Sequence, residues 1–189
     1  MGFQFSYLII FFLICVIIFG KIKYSNYTYT TNPKRIIIVG KAGSGKDYLK
    51  QLFIDKGFVP DISFTTRPMR DGEIRDVTYH YVEESDFEQD IANHFFHQHE
   101  NFNGWYYGTS RESWMNNNIF IMTPGGIAKL SEEDIKSSFI IYLDIDERIR
   151  RERLALRSDA DTVDRRVLAD EKDFKDFKTY TICIDNPSF

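Results

Sequence analysis

The fold of this 189-residue chain is decided by one stretch, Arg35-Ile36-Ile37-Ile38-Val39-Gly40, followed by Lys41-Ala42-Gly43-Ser44-Gly45-Lys46. The first half is a short β-branched run that ends at glycine, which predicts a buried strand. After Lys46, apolar residues recur at helical spacing at Leu49, Leu52 and Phe53. A strand, a glycine-rich loop and a helix in this order are the context in which G-x-x-x-x-G-K indicates a phosphate-binding loop.

The chemistry of this phosphate loop follows from its backbone. Its glycines let successive N–H groups point at one phosphate, and the helix N-terminus adds its positive dipole end. Lys46 is predicted to reach the β- and γ-phosphates. The residues predicted to bind ATP are Gly40, Lys41, Ala42, Gly43, Ser44, Gly45, Lys46 and Asp47.

Asp47 departs from the usual pattern, which places Ser or Thr after the lysine to hold magnesium through a hydroxyl. A carboxylate is also a hard oxygen ligand for Mg²⁺, so we expect Asp47 to take the metal-binding role, directly or through water. The sequence therefore predicts ATP and Mg²⁺ as cofactors.

Composition narrows the class of protein. A hydrophobic fraction of 43% is ordinary for a globular domain with a core. A net charge of −4 argues against a protein that coats nucleic acid, so we expect no nucleic-acid partner. Cys15 and Cys183 have no spacing typical of zinc ligands or of a disulfide framework. We expect one monomeric catalytic domain.

The N-terminal residues 1–20 carry no charged side chain. An apolar run of this length predicts a single transmembrane helix. The first positive charges follow it at Lys21 and Lys23, which places the body of the protein in the cytoplasm. Residues 21–33 are predicted to be a linker. An alternative stays open, because Phe, Ile, Tyr, Lys and Asn dominate this region and biased coding alone can produce such a mixture.

Three further stretches carry a resemblance to a known family. They are Ser63-Phe64-Thr65-Thr66-Arg67-Pro68-Met69-Arg70-Asp71-Gly72-Glu73, then Asp76-Val77-Thr78-Tyr79-His80-Tyr81-Val82, then Gly104-Trp105-Tyr106-Tyr107-Gly108-Thr109-Ser110. In order and in spacing from the phosphate loop they resemble the guanylate kinase family. The resemblance implies an α/β P-loop kinase in residues 34–189 with a parallel sheet core. It also implies a small mixed-β insertion for the acceptor at about 63–112 and an arginine lid at about 148–166.

The resemblance also implies how the acceptor is held. Arg67, Arg70, Tyr79 and Tyr107 match positions that bind the phosphate of a nucleoside monophosphate. Two arginines and two phenols are charge-assisted and forked donors suited to a dianionic phosphate.

The match is incomplete where the family reads the base. Ser63 and Thr109 match base-contacting positions, but Gln98 stands where the family has a glutamate, and Thr123 stands where it has an aspartate. By resemblance, both acids accept hydrogen bonds from guanine N1–H and the amino group. Each neutral replacement weakens its contact by about 1 kcal/mol. Specificity for another nucleoside monophosphate, or for a deoxy form, therefore stays open.

The lid prediction rests on Arg157 and Arg166, which match the family's lid arginines. Arginines that close over phosphates stabilise transition-state charge and exclude water. With Lys46 and Arg67 they complete the predicted catalytic residues. We expect Arg148, Arg150 and Arg151 to form only a solvated helix face.

The expected reaction transfers the γ-phosphoryl group of ATP to a nucleoside monophosphate, with GMP or dGMP favoured. One alternative is a kinase for a small sugar phosphate, since Lys46-Asp47 also looks like the loop of ribose bisphosphate phosphokinases. Those enzymes lack the full T-T-R-P-x-R-x-G-E stretch. Another alternative is a guanylate-kinase-like membrane scaffold without catalysis. Such scaffolds typically have degraded phosphate loops, whereas Gly40, Gly45 and Lys46 are intact here.

Overall fold

The structure is a computed structural model that describes residues 33–156 and 162–185, together with the strand backbone of 21–24. The strands are β1 (Lys21–Tyr24), β2 (Arg35–Gly40), β3 (Phe64–Thr65), β4 (His80–Tyr81), β5 (Phe96–Phe102), β6 (Trp105–Ser110), β7 (Ile119–Ile121), β8 (Ser138–Asp144) and β9 (Ile182–Asp185). The helices are α1 (Lys46–Ile54), α2 (Glu84–Ala92), α3 (Arg111–Asn116), α4 (Pro124–Ala128), α5 (Glu132–Lys136), α6 (Glu147–Ala155) and α7 (Val163–Phe174).

The first sheet has the strand order β1-β9-β8-β2-β7. All pairings are parallel except the antiparallel pairing of β1 with β9. Successive residues of β2 enter opposite faces of the sheet: Ile36 and Ile38 pack with Leu49 and Phe53, while Ile37 packs in the opposite cluster. A strand buried on both faces explains the continuous β-branched run, and the predicted parallel core is confirmed.

The second sheet has the order β4-β3-β6-β5 and mixes parallel and antiparallel pairs. It lies within the predicted acceptor insertion. Phe87 of α2 is fully buried against one face, with its ring stacked on Phe96 at 4.3 Å and on Tyr106 at 5.1 Å between centroids. This aromatic stack anchors the helix to the sheet and leaves the other face of the sheet for the site.

One expectation about the N-terminal region needs correction. Residues 21–24, which we assigned to the linker 21–33, form the edge strand β1 of the first sheet. In the strand register, Lys21 lies opposite Asp185 and Tyr24 lies opposite Ile182. The alternation Lys-Ile-Lys-Tyr has the period of a strand, and pairing with β9 satisfies its backbone, which composition alone did not reveal.

The predicted transmembrane helix at residues 1–20, and with it the single-pass topology facing the cytoplasm, lies outside the described residues. Within the described residues, no helix combines the length and the apolar character that a membrane span requires.

Candidate nucleotide-binding site

A cleft with a volume of about 190 Å³ opens where the carboxyl ends of the parallel strands face the second sheet. Many of the predicted site residues line it: Gly40, Ala42, Gly43, Ser44, Gly45, Lys46, Asp47, Ser63, Arg70, Tyr79, Gln98, Tyr107, Thr123 and Arg166. It is also lined by residues that the sequence did not single out, among them Glu100, Phe102, Trp105, Asp170 and Phe174.

Three of the predicted residues are placed elsewhere. Arg67 and Thr109 are buried directly behind the lining of the cleft, with exposed fractions of 4% and 1%. Lys41 lines a neighbouring recess with Asp144, beyond the phosphate loop. Arg157 lies outside the described residues, so its role in a lid remains a prediction.

The phosphate loop curls as its sequence predicts. Gly43 has a φ of +76°, and a Cβ there would lie 2.9 Å from the carbonyl oxygen of Arg150, so the position requires glycine. Lys46 Nζ donates to the carbonyl oxygens of Gly40 at 2.7 Å and Lys41 at 3.1 Å. The ammonium group is thereby held over the mouth of the loop, where phosphates are expected.

A buried ion pair supports the loop from below. Arg150, which is 1% exposed, donates to Asp170 Oδ2 at 3.2 Å, and the N–H of Ala42 donates to the same oxygen at 2.8 Å. Burial raises the pKa of Asp170, while the N–H of Ala42 and the charges of Lys46 and Arg150 oppose that rise. The expectation that Arg150 lies on a solvated face is wrong, because α6 turns this side chain under the loop.

The acceptor side presents Arg70, Tyr79 and Tyr107 to the cleft. Burial raises the pKa of both phenols above the ordinary value. Both therefore stay protonated at neutral pH and can donate hydrogen bonds to a phosphate. One guanidinium and two phenols form a group of donors suited to a dianion.

Arg67 organises this group from behind. Its Nη2 donates to both carboxylate oxygens of Glu73, at 2.8 and 3.0 Å, and its Nη1 donates to the carbonyl oxygen of Pro68 at 2.6 Å. Burial disfavours the guanidinium, but Glu73 outweighs this effect and the pKa of Arg67 is raised. The guanidinium carbon lies 5.5 Å from the ring centroid of Tyr79, so this positive charge lies next to the side chains that line the acceptor side.

A chain of hydrogen bonds fixes the wall where the base is expected. Gln98 Nε2 donates to the hydroxyl of Thr109 at 3.1 Å, and that hydroxyl donates to Asp61 Oδ2 at 3.5 Å. Ser63 and Ser113 also donate to the Asp61 carboxylate. Burial raises the pKa of Asp61, and these hydroxyl donors oppose the rise. One N–H of the Gln98 amide is thus engaged, while its buried oxygen has no hydrogen-bond partner among the described residues.

Glu100 brings a carboxyl group to the same wall. Its pKa is raised to about 7: burial is the largest cause and the nearby Asp173 adds to it, while the N–H of Gly126 and the charge of Lys129 oppose the rise. A Cβ added at Gly125 would overlap Glu100 Oε2, so the glycine makes room for the acid. The site thus holds a carboxyl group that titrates near neutral pH.

The residues present fit a magnesium ion of the kind that accompanies ATP. Asp47 is exposed on the first turn of α1 and lines the cleft next to Lys46. Among the described residues no cluster of three His, Cys, Asp or Glu could hold a metal alone. Mg²⁺ commonly binds one or two carboxylates plus substrate phosphates and water, so a single carboxylate beside the phosphate loop is sufficient.

Comparisons with known proteins agree with this geometry. The sequence profile described as "Guanylate kinase" matches residues 32–189. The chain belongs to the guanylate kinase family. It is 32% identical over 163 residues to a guanylate kinase of Wolinella succinogenes, covering 80% of this chain and 75% of that protein. It is 43% identical over 77 residues to a guanylate kinase of Sulfurimonas denitrificans, covering 40% of this chain but only 37% of that protein.

A solved structure shares the fold. The crystal structure of guanylate kinase from Anaplasma phagocytophilum matches with a TM-score of 0.62 at 19% identity, covering 80% of this chain and 76% of that one. This likeness supports the α/β architecture of two sheets around the cleft.

Sequence analysis did not identify several residues in or beside the guanylate kinase cleft, although their spacing from predicted residues pointed to them. Glu100 follows Gln98 by two residues on a strand, which places both side chains on one face. Asp170 follows Arg166 by four residues on a helix, and so shares its face. Asp61 precedes Ser63 by two. Glu100 and Asp170 each lie one strand or helix repeat from a residue already singled out, whereas Asp61 lies with Ser63 in the loop before β3.

The buried ion pair yields the first prediction. Replacing Arg150 with Ala leaves Asp170 charged and buried without its partner, so we expect a loss of about 3–5 kcal/mol in the free energy of unfolding. Urea denaturation measures it. Arg148→Ala on the same helix removes an exposed pair with Glu152 and is expected to cost at most about 1 kcal/mol. Equal losses in the two variants would contradict the role assigned to Arg150.

The second prediction concerns Glu100. Its pKa of about 7 in the folded protein exceeds the unfolded value of 4.5. Between these values the folded state binds more protons, so this group makes the protein less stable as pH rises from 4.5 to 7. Glu100→Gln is therefore expected to raise the melting temperature at pH 8 and to leave it nearly unchanged at pH 4.5. Glu88→Gln, on the exposed side of α2, is the control. The assignment would be contradicted if the Glu100→Gln protein had the melting temperature of the wild type at both pH values.

Proposed function

We propose that this chain transfers the γ-phosphoryl group of ATP to GMP or dGMP, giving ADP and the nucleoside diphosphate. The proposal rests on one observation: the phosphate loop lines the same cleft as three hydrogen-bond donors of the acceptor side, Arg70, Tyr79 and Tyr107. Membership of the guanylate kinase family supports the same reaction class. Two phosphate-binding groups facing each other across one cleft suit transfer between two nucleotides.

The donor half of the cleft holds ATP by its phosphates. The backbone of Ala42–Gly45 wraps the β-phosphate, and Lys46 turns from the loop carbonyls toward the β- and γ-phosphates when nucleotide arrives. Bound Mg²⁺ would neutralise phosphate charge and orient the γ-phosphoryl group, with Asp47 as its protein ligand.

The acceptor half holds the monophosphate through Arg70, Tyr79 and Tyr107. Because both phenols are neutral and the guanidinium is cationic, all three donate to phosphate oxygens. Arg67 stays paired with Glu73 behind them and fixes their positions. We propose that the acceptor oxygen is thereby aimed at the γ-phosphorus.

The transfer step requires stabilisation of charge and exclusion of water more than it requires covalent catalysis. Lys46 and Arg166 lie on the two sides of the cleft, from α1 and α7. We propose that both stabilise the equatorial oxygens of the transferring group, and that Arg157 joins them from the lid when it closes. Closure would also exclude water that could hydrolyse ATP.

The named relatives are guanylate kinases, which gives no support to a sugar phosphate kinase or to an inactive scaffold. The intact phosphate loop also argues for catalysis, because a scaffold has no need for Lys46 held over the loop mouth.

The third prediction tests the activity. The full-length chain, purified in mild detergent, is assayed for ADP release with ATP, Mg²⁺ and each nucleoside monophosphate in turn. We expect turnover with GMP or dGMP to exceed turnover with AMP, CMP and UMP. Lys46→Ala is expected to lower kcat by about a hundredfold or more, because a preorganised charge is lost from the transferring group.

The matched control is Lys136→Ala, which replaces an exposed lysine on α5 that pairs with Glu132 in the same helix. It is expected to leave kcat unchanged. A folded protein that binds ATP but turns over none of the monophosphates would contradict the proposed function. A preference for AMP would keep a kinase and contradict the proposed acceptor.

A further inference from the structure

We propose that Glu100, acting with the amide oxygen of Gln98, is the residue that reads the Watson–Crick edge of guanine in this chain. The inference rests on the proposed function. The two base-reading positions carry the neutral residues Gln98 and Thr123. The inference identifies the residue that supplies a charged hydrogen-bond acceptor in their place.

The strand geometry places Glu100 correctly for this role. On β5, Gln98 lies opposite Thr109 and Glu100 lies opposite Tyr107 on β6. Residues two apart on a strand share a face, so Glu100 follows Gln98 on the wall of the cleft and lies level with Tyr107. Both Gln98 and Glu100 line the cleft.

The oxygens of the two side chains converge on one place. A Cβ built on Gly126 would lie 3.1 Å from Gln98 Oε1 and 3.6 Å from Glu100 Oε1. The neighbouring Gly125 also leaves space that Glu100 fills. The paired glycines at the start of α4 therefore let two acceptor oxygens approach one point from β5.

Gln98 Oε1 is available to a ligand, and the Glu100 carboxylate has capacity to accept hydrogen bonds besides the one from the N–H of Gly126. Gln98 Nε2 is engaged with Thr109, and among the residues the structure describes Gln98 Oε1 is buried without a hydrogen-bond partner. Thr123, by contrast, uses its hydroxyl oxygen to accept the N–H of Gly126 at 3.0 Å, as the N-cap of α4. Of these side chains, Gln98 and Glu100 are the better placed acceptors.

The groups around Glu100 leave its carboxylate able to accept hydrogen bonds from a ligand. Asp173 of α7 repels its carboxylate, Lys129 beyond α4 attracts it, the N–H of Gly126 faces it, and the neutral phenol of Tyr107 lies across the sheet. A buried carboxylate is costly without hydrogen-bond donors, so a ligand that brings them gains affinity.

Guanine offers such donors side by side, at N1–H and at the exocyclic amino group. Two converging acceptor oxygens match this pair. Adenine presents an acceptor at N1 and would meet the same oxygens unfavourably, while hypoxanthine keeps N1–H and lacks the amino group. We assign the amino group to the Glu100 carboxylate and N1–H to Gln98 Oε1, so the comparison of GMP with IMP isolates the contact of Glu100.

The fourth prediction uses binding, measured by titration calorimetry at pH 8 on the full-length chain. The wild type and Glu100→Gln are titrated with GMP, dGMP and IMP, with Glu88→Gln as a matched exposed control. We expect Glu100→Gln to weaken GMP and dGMP binding by about tenfold or more and to change IMP binding much less. Wild-type GMP binding is also expected to weaken as pH falls from 8 to 6, since the carboxyl group becomes protonated near 7. The phosphate of GMP also gains a proton at about pH 6, so both proteins keep that part of the pH dependence, and Glu100→Gln should lose only the part that arises near pH 7.

An unchanged ratio of GMP to IMP affinity in Glu100→Gln would overturn the inference. Weakening for GMP without weakening for dGMP would also overturn it, because the carboxylate would then bind the ribose 2′-hydroxyl. Since binding is measured without turnover, the two proposals are separable. A protein that binds GMP through Glu100 and transfers no phosphate would contradict the proposed function alone.

Discussion

The site depends on one buried ion pair, between Arg150 and Asp170. Their contact lies beneath the phosphate loop, where Asp170 also accepts the N–H of Ala42. A loop that must present N–H groups to phosphate cannot satisfy its own backbone fully, so it needs support from outside. Here that support joins α6 and α7 to the loop. One of them, α7, also carries Arg166 into the cleft, so the position of a predicted lid arginine is tied to the shape of the loop.

Each of the two sheets carries a different part of the site. The parallel sheet supplies the carboxyl edge from which the phosphate loop rises, and the mixed sheet supplies one face for the acceptor. Along β5 and β6, the alternation of side chains orders the acceptor face from Gln98 at the base wall to Tyr107 at the phosphate end. Glu100 lies opposite Tyr107 and shares the face of β5 with Gln98. Loss of a charged side chain at one base-reading position can therefore be compensated by a carboxylate two residues further along the same face of the strand.

The elements that could be predicted from the sequence were those with strong local signals. The run Ile36–Val39 and the glycines after it determine a buried strand and a phosphate loop through local geometry, and the short aromatic motifs indicated the acceptor insertion. Arg150 could not be predicted, because burial of a helical arginine depends on where α6 packs and on Asp170, a partner twenty residues away. Strand β1 was missed since its pairing with β9 joins the two ends of the domain. Glu100 could have been found from its period-two relation to Gln98.

The central claim is that one cleft binds both nucleotides for direct transfer. The most direct test is inhibition by a bisubstrate compound, with adenosine and guanosine joined through five phosphates, assayed on the full-length chain. The structure predicts competition against ATP and against GMP, with affinity well above that of either nucleotide, because both ends are held at once. Competition against ATP alone, at an affinity no better than that of ATP, would contradict a shared cleft and the reaction assigned to it.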